Sequence, residues 1–145
     1  MSDQRLLRAV QRLASALTRL ERQVAADVGV SVSQMRIVMS ISQSGNPHKV
    51  TDLAEEQGLA VSTMTRNLKL LEERGWLHRA SGDEDRRTIH VGLTEKGREL
   101  AAQLSDTHVS RFDKAFDRFH PSDRIERAVA LDRVAAAIEK TEKSE

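Results

Sequence analysis

Residues 51–75 read TDLAEEQGLAVSTMTRNLKLLEERG, and the fold turns on how this stretch divides. The pattern predicts a short helix over 51–57 with Leu53 and Ala54 facing inward. Gly58 suits the left-handed backbone position that ends a helix. A tight turn through Leu59 and Ala60 comes next. A second helix is expected over 61–74, with Met64, Leu68 and Leu71 as its core positions and Gly75 as its stop. Two short helices joined by a brief turn containing glycine make a helix-turn-helix.

The next twenty residues convert this into a winged helix-turn-helix. Residues 76–80 read as a strand, and over 88–93 Ile89, Val91 and Leu93 alternate onto one face. The segment Gly82-Asp83-Glu84-Asp85-Arg86-Arg87 joins the two strands as a charged hairpin tip. The fold class expected is therefore mainly α with a small β-hairpin wing.

Helices flank this unit on both sides. Upstream, Leu6, Val10, Leu13, Leu17, Leu20 and Val24 alternate spacings of four and three along a helix over residues 4–27. That stripe packs either on the core of its own domain or on a second subunit, and the pattern alone does not divide the two. Gly29 breaks this helix. Ser31-Val32-Ser33-Gln34 fits a capping box opening the next one, whose apolar face is Met35, Val38, Met39 and Ile41. Ser44-Gly45-Asn46-Pro47 is the clearest turn cluster. Downstream, Thr94-Glu95-Lys96-Gly97 opens a long helix to about residue 119, broken at Pro121-Ser122-Asp123. The last helix, over 123–140, carries Ile125, Val129, Val134, Ala135 and Ile138. Residues 1–30 and 95–145 are read as a helical dimerisation region and residues 31–94 as the winged unit, with no flexible linker. Leu6, Val10, Leu13, Ile125, Val129 and Ile138 are the candidate dimerisation contacts.

Composition narrows the function classes. A chain of 145 residues buries enough surface to fold without disulfide staples. It contains no cysteine, which excludes disulfides, thiolate metal sites and thiol redox sensing. No apolar h-region succeeds the N-terminal charges and no run reaches membrane-spanning length, so the cytoplasm is the expected location. The net charge of +1 is low for a nucleic-acid binder, but it is unevenly spread. Residues 1–50 carry +4 and residues 51–60 carry −3. Over 61–93 the acids cluster at Glu72, Glu73 and Asp83 to Asp85, leaving Arg66 and Lys69 to face a phosphate backbone.

The 61–74 helix has an unusual outward face: Val61, Ser62, Thr63, Thr65, Arg66 and Lys69. Short side chains let a helix sink into the major groove. Hydroxyls contact phosphates or base edges, and a valine meets a thymine methyl. Arg66 is the candidate for guanine or phosphate contact, and Lys69 the candidate for phosphate. An ordinary solvated helix start offers the same residue types. The hairpin adds weight. Asp85 can accept from Arg87 across the tight turn and fix its direction. A guanidinium so held can probe a narrow A·T-rich minor groove. Arg86 would then contact phosphate.

In this combination and order the chain resembles the MarR family of winged-helix transcriptional regulators. The residues that carry the resemblance are Asp52-Leu53-Ala54-Glu55, Ser62-Thr63-Met64-Thr65-Arg66 and Leu71-Glu72-Glu73-Arg74-Gly75. Glu84-Asp85-Arg86-Arg87 and Val91-Gly92-Leu93-Thr94-Glu95-Lys96-Gly97 complete it. The resemblance implies a dimer made by terminal helices, insertion of the 61–74 helix into the major groove, and a wing arginine in the minor groove. The family's Asp-x-Arg wing pattern falls on Asp85 and Arg87. Many members release DNA when a small, often aromatic, ligand binds between the two lobes. Two departures stand out. Ala60 replaces a serine that would cap the recognition helix, and Val61 replaces a polar or basic residue.

The expected function is a homodimeric, sequence-specific repressor of transcription that binds a pseudo-palindromic double-stranded DNA operator and is released by a small aromatic or lipophilic effector. Leu13, Leu17, Met35 and Met39 are the candidate pocket lining, with plain core as the competing reading. No catalytic grouping, cofactor or metal site is expected. His48, His78, His90, His108 and His120 are scattered, and His78 and His90 read as a surface cross-strand pair on the wing. Two other classes compete. One is a helical protein-interaction module using a winged helix. The other is an architectural DNA binder without sequence preference.

Overall fold

The computed structural model describes residues 3–44, 48–81 and 88–143. Its elements are α1 (Asp3–Val28), α2 (Val32–Ser44), β1 (His48–Lys49), α3 (Val50–Glu56), α4 (Val61–Glu73), β2 (Leu77–Ser81), β3 (Ile89–Leu93), α5 (Glu95–Phe116) and α6 (Pro121–Glu142). They form two compact units, residues 1–109 and residues 110–145.

The helix boundaries follow from local chemistry. The Ser31 capping box forms as expected: the Ser31 amide donates to Gln34 Oε1 at 3.0 Å, and the Gln34 amide donates to Ser31 Oγ at 3.1 Å. Gly58 and Gly75 adopt φ of 63° and 78°, conformations costly for any residue with a Cβ. They end α3 and α4 where the sequence places those stops. Thr94 caps α5, its hydroxyl oxygen accepting from the Gly97 amide at 3.1 Å.

In the first unit the core is built from α2, α3, α4, the sheet and the start of α5. Ile37, Val38, Leu53, Met64, Leu68, Leu71 and Val91 are fully buried. α1 joins it only near its end, through Val24 and Ala25. The sheet is antiparallel in the order β1-β3-β2. Val91 and Leu93 face the core, whereas Ile89, expected on the same side, is 44% exposed at the outer end of β3.

Several expectations are revised. The two-residue strand β1 was not legible. Ile37 is buried where the apolar stripe of α2 favoured Met39. Pro121 does not sit in a break; it occupies the first turn of α6, where its missing N–H costs nothing, and His120 caps that helix. The preceding helix ends at Phe116, earlier than expected. His78 lies opposite Gly92 and His90 opposite Ala80, so the two histidines share a face diagonally rather than meeting as partners. The turn at Gly45, Asn46 and Pro47 lies outside the described residues.

In the second unit, Phe112, Phe116 and Phe119 stack in sequence, with centroids 4.5 Å and 5.4 Å apart. The Arg127 guanidinium lies 4.7 Å from the Phe119 ring. α6 buries none of its residues, and no single helix among the described residues is long and apolar enough to cross a membrane.

Candidate nucleic-acid interface

α4 is pinned from one side and open on the other. Met64, Leu68 and Leu71 recur at helical spacing and are wholly buried. Rotating past them leaves Val61, Ser62, Thr63, Thr65, Arg66 and Lys69 exposed, the outward face the sequence predicts. Among the described residues neither Arg66 nor Lys69 enters an ion pair, so both charges are available to a partner. Val61 is 50% exposed despite being apolar. Ala60 stands at the N-cap and supplies no side-chain bond, leaving amide donors unspent at the helix start. Thr65 differs from the expectation: its hydroxyl donates to the Val61 carbonyl at 2.9 Å, so only its acceptor capacity remains for an outside group.

The far end of α4 is tied to the sheet. Glu72 accepts from Arg79 Nε on β2, and the Arg74 guanidinium lies 5.0 Å from the Trp76 ring. These contacts fix the helix against the base of the wing. Strand pairing reaches outward to Ser81 opposite Ile89. Asp85, Arg86 and Arg87, the candidate wing contacts, lie outside the described residues.

A concavity of about 360 Å³ separates the start of α4 from the base of the wing. Val61 and Thr65 form one wall, Arg79 and Ile89 another, and Lys49 and Val50 a third. Sequence reasoning missed Lys49 and Arg79. They reach the concavity from different strands, Lys49 from β1 and Arg79 from β2, and a two-residue strand leaves no periodic signal.

Of the four candidate effector residues, Met35 and Met39 share a cavity among the described residues. Met35 and Met39 line a cavity of about 450 Å³ with Glu21, Arg36, Glu56 and His108. Its walls are partly charged, and Arg36 pairs with Glu21 at 2.6 Å. Leu13 and Leu17 lie outside this cavity, on the exposed stripe of α1. Leu6 belongs to the same stripe at 56% exposure, and Val10 is half-buried. On α6, Ile125, Val129 and Ile138 are 69%, 50% and 48% exposed. Each helix thus presents large apolar side chains that its own chain leaves uncovered.

Comparison with known proteins agrees with this geometry. Residues 30–89 match the MarR family. The chain is 28% identical over 114 residues to the HTH-type transcriptional regulator YfiV of Bacillus subtilis, covering 79% of this chain and 71% of that one. It is 34% identical over 70 residues to the transcriptional repressor MprA of Escherichia coli, covering 48% of this chain but only 40% of MprA. Wild-type MarR of E. coli in its apo form shares the fold at a TM-score of 0.79 and 18% identity, over 89% of this chain and 95% of that one. FabT of Streptococcus pneumoniae, solved in complex with DNA, superposes at a TM-score of 0.75 and 21% identity, over 93% of this chain and 98% of that one.

Proposed function

We propose that the chain is a member of the MarR family, whose model matches residues 30–89, and that it is a homodimeric, sequence-specific DNA-binding repressor of transcription acting in the cytoplasm. The observation that carries this reading is the outer face of α4. A helix whose inner side is fully buried presents short side chains and two cations, Arg66 and Lys69, that enter no ion pair among the described residues, on a helix tied to β2 through Glu72 and Arg79. In this reading Val61, Ser62, Thr63, Thr65 and Arg66 meet the major groove and Lys69 meets phosphate. On the wing, Asp85 holds Arg87 toward the minor groove and Arg86 touches the backbone. The complex of FabT with DNA supports the comparison.

The uncovered apolar side chains of α1 and of α6 support pairing with a second copy, with residues 1–30 and 95–145 as the dimerisation region. Surface of this kind is a liability unless another chain covers it. The cavity at Met35 and Met39 supports a small effector; its Arg36 and Glu21 favour a ligand that carries polar groups beside its apolar body.

Near-neutral charge favours the second reading, a winged helix that binds protein. Salt separates the two. Binding to duplex DNA is expected to fall by about 100-fold or more between 50 and 200 mM salt, read by fluorescence anisotropy, because several phosphates are neutralised on binding. Absence of binding at low salt would favour the protein partner.

A further inference from the structure

α4 opens against the usual rules for a helix start. Its N-cap is Ala60, which makes no side-chain bond where serine, threonine, asparagine or aspartate would hold an amide. Its first residue, Val61, is 50% exposed, a β-branched apolar side chain left in water. Departures of this kind gather where a surface is shaped for a partner at the expense of local stability.

Thr65 extends the same surface. It lies one turn on from Val61, is exposed, and its hydroxyl donates to the Val61 carbonyl at 2.9 Å. The hydroxyl proton is spent inside the helix, so Thr65 has none to give to a base edge. Its γ-methyl remains as an apolar group beside Val61, and the two residues line the same concavity. Within one turn, roughly 6 Å along the axis, α4 offers branched carbon next to the hydrogen-bonding side chains of Ser62, Thr63 and Arg66.

The apolar group that base pairs present in the major groove is the C5-methyl of thymine. Resting on the DNA-binding reading above, we propose that Val61 and Thr65 together read two C5-methyl groups lying within two base-pair steps of each other. Thr65 acts through its methyl and not through its hydroxyl. Selectivity at these two positions is for the methyl itself, so 5-methylcytosine satisfies it and uracil does not. Operator choice is thereby sensitive to cytosine methylation at those positions.

The test uses the full chain and duplex DNA carrying a site selected from a random library. Deoxyuridine replaces the thymidines of a half-site one at a time, which removes the methyl and nothing else. The wild type is expected to lose about fourfold in affinity at each of two positions, the worth of one buried methyl. Val61→Ala should abolish the uracil effect at one position. Thr65→Ser, which keeps the hydroxyl and its bond to the Val61 carbonyl, should abolish it at the other. Both residues are exposed, so neither variant disturbs the core. A cytosine–guanine pair placed at either position should gain about fourfold when its cytosine carries a 5-methyl group. Uracil tolerated at every thymine, or uracil effects that persist unchanged in both variants, overturns the methyl reading while leaving DNA binding intact. Failure of the wild type to bind any duplex at low salt overturns the DNA-binding reading and the methyl reading with it.

Discussion

Gly97→Ala is expected to unfold at a markedly lower urea concentration than the wild type, with a loss of about 3 kcal/mol or more. Two physical effects oppose one another at this site. Gly97 is in the first turn of α5 with an ordinary helical backbone, and helix propensity alone would make alanine better by about 1 kcal/mol. Packing reverses the sign. A Cβ built on Gly97 would lie 2.0 Å from the Trp76 carbonyl oxygen and 3.0 Å from its carbon. The obstacle is backbone, so no rotamer change relieves it. That carbonyl also accepts from the Thr94 amide at 3.0 Å, and moving it away breaks the bond that joins the start of α5 to the chain leaving α4. Gly58 provides the contrast. Its φ is positive, yet a Cβ there meets nothing within 4 Å, so Gly58→Ala carries only the left-handed backbone penalty of about 1–2 kcal/mol. Urea denaturation of both variants decides the matter. A Gly97→Ala loss no larger than that of Gly58→Ala would contradict the packing account.

Leu68→Ala is expected to cost about 2–5 kcal/mol, because Leu68 is wholly buried at the centre of the inner face of α4. Its neighbour Lys69 is exposed, and Lys69→Ala is expected to change stability by no more than about 0.5 kcal/mol. Adjacent residues thus divide the helix between folding and binding. Leu68→Ala removes the anchor that holds the outer face in place. Lys69→Ala leaves the fold intact and touches only what that face can bind. Equal denaturation midpoints for the two variants would contradict the orientation assigned to α4.

The sequence announced those features that rest on local chemistry. The Ser31–Gln34 capping box and the stops at Gly58 and Gly75 each need only a few neighbouring residues, and each stands where expected. The exposed face of α4 was legible because its complement, Met64, Leu68 and Leu71, follows helical spacing. Features set by distant partners were not. β1 exists because β3 offers His48 and Lys49 a ladder, and nothing in a two-residue segment signals that pairing. The concavity is lined from β1, β2, β3 and α4, segments far apart in sequence, so it had no sequence signature. Burial of Ile37 reflects the central place of α2, whose core contact extends past a single stripe. Apolar character and neighbouring helices group Leu13 and Leu17 with Met35 and Met39. Leu13 and Leu17 instead lie on exposed surface of α1, away from the cavity. Pro121 illustrates a milder ambiguity, since proline serves equally well to break a helix or to begin one.

The central claim is that two copies of α4 read one DNA site through a two-fold arrangement. Selection from a random duplex library with the full chain tests it most directly. The expected result is an enriched pseudo-palindrome whose half-site centres lie about 10–10.5 bp apart, or a multiple of that spacing. Binding without enrichment over the starting library, or enrichment of a single asymmetric element, would contradict it.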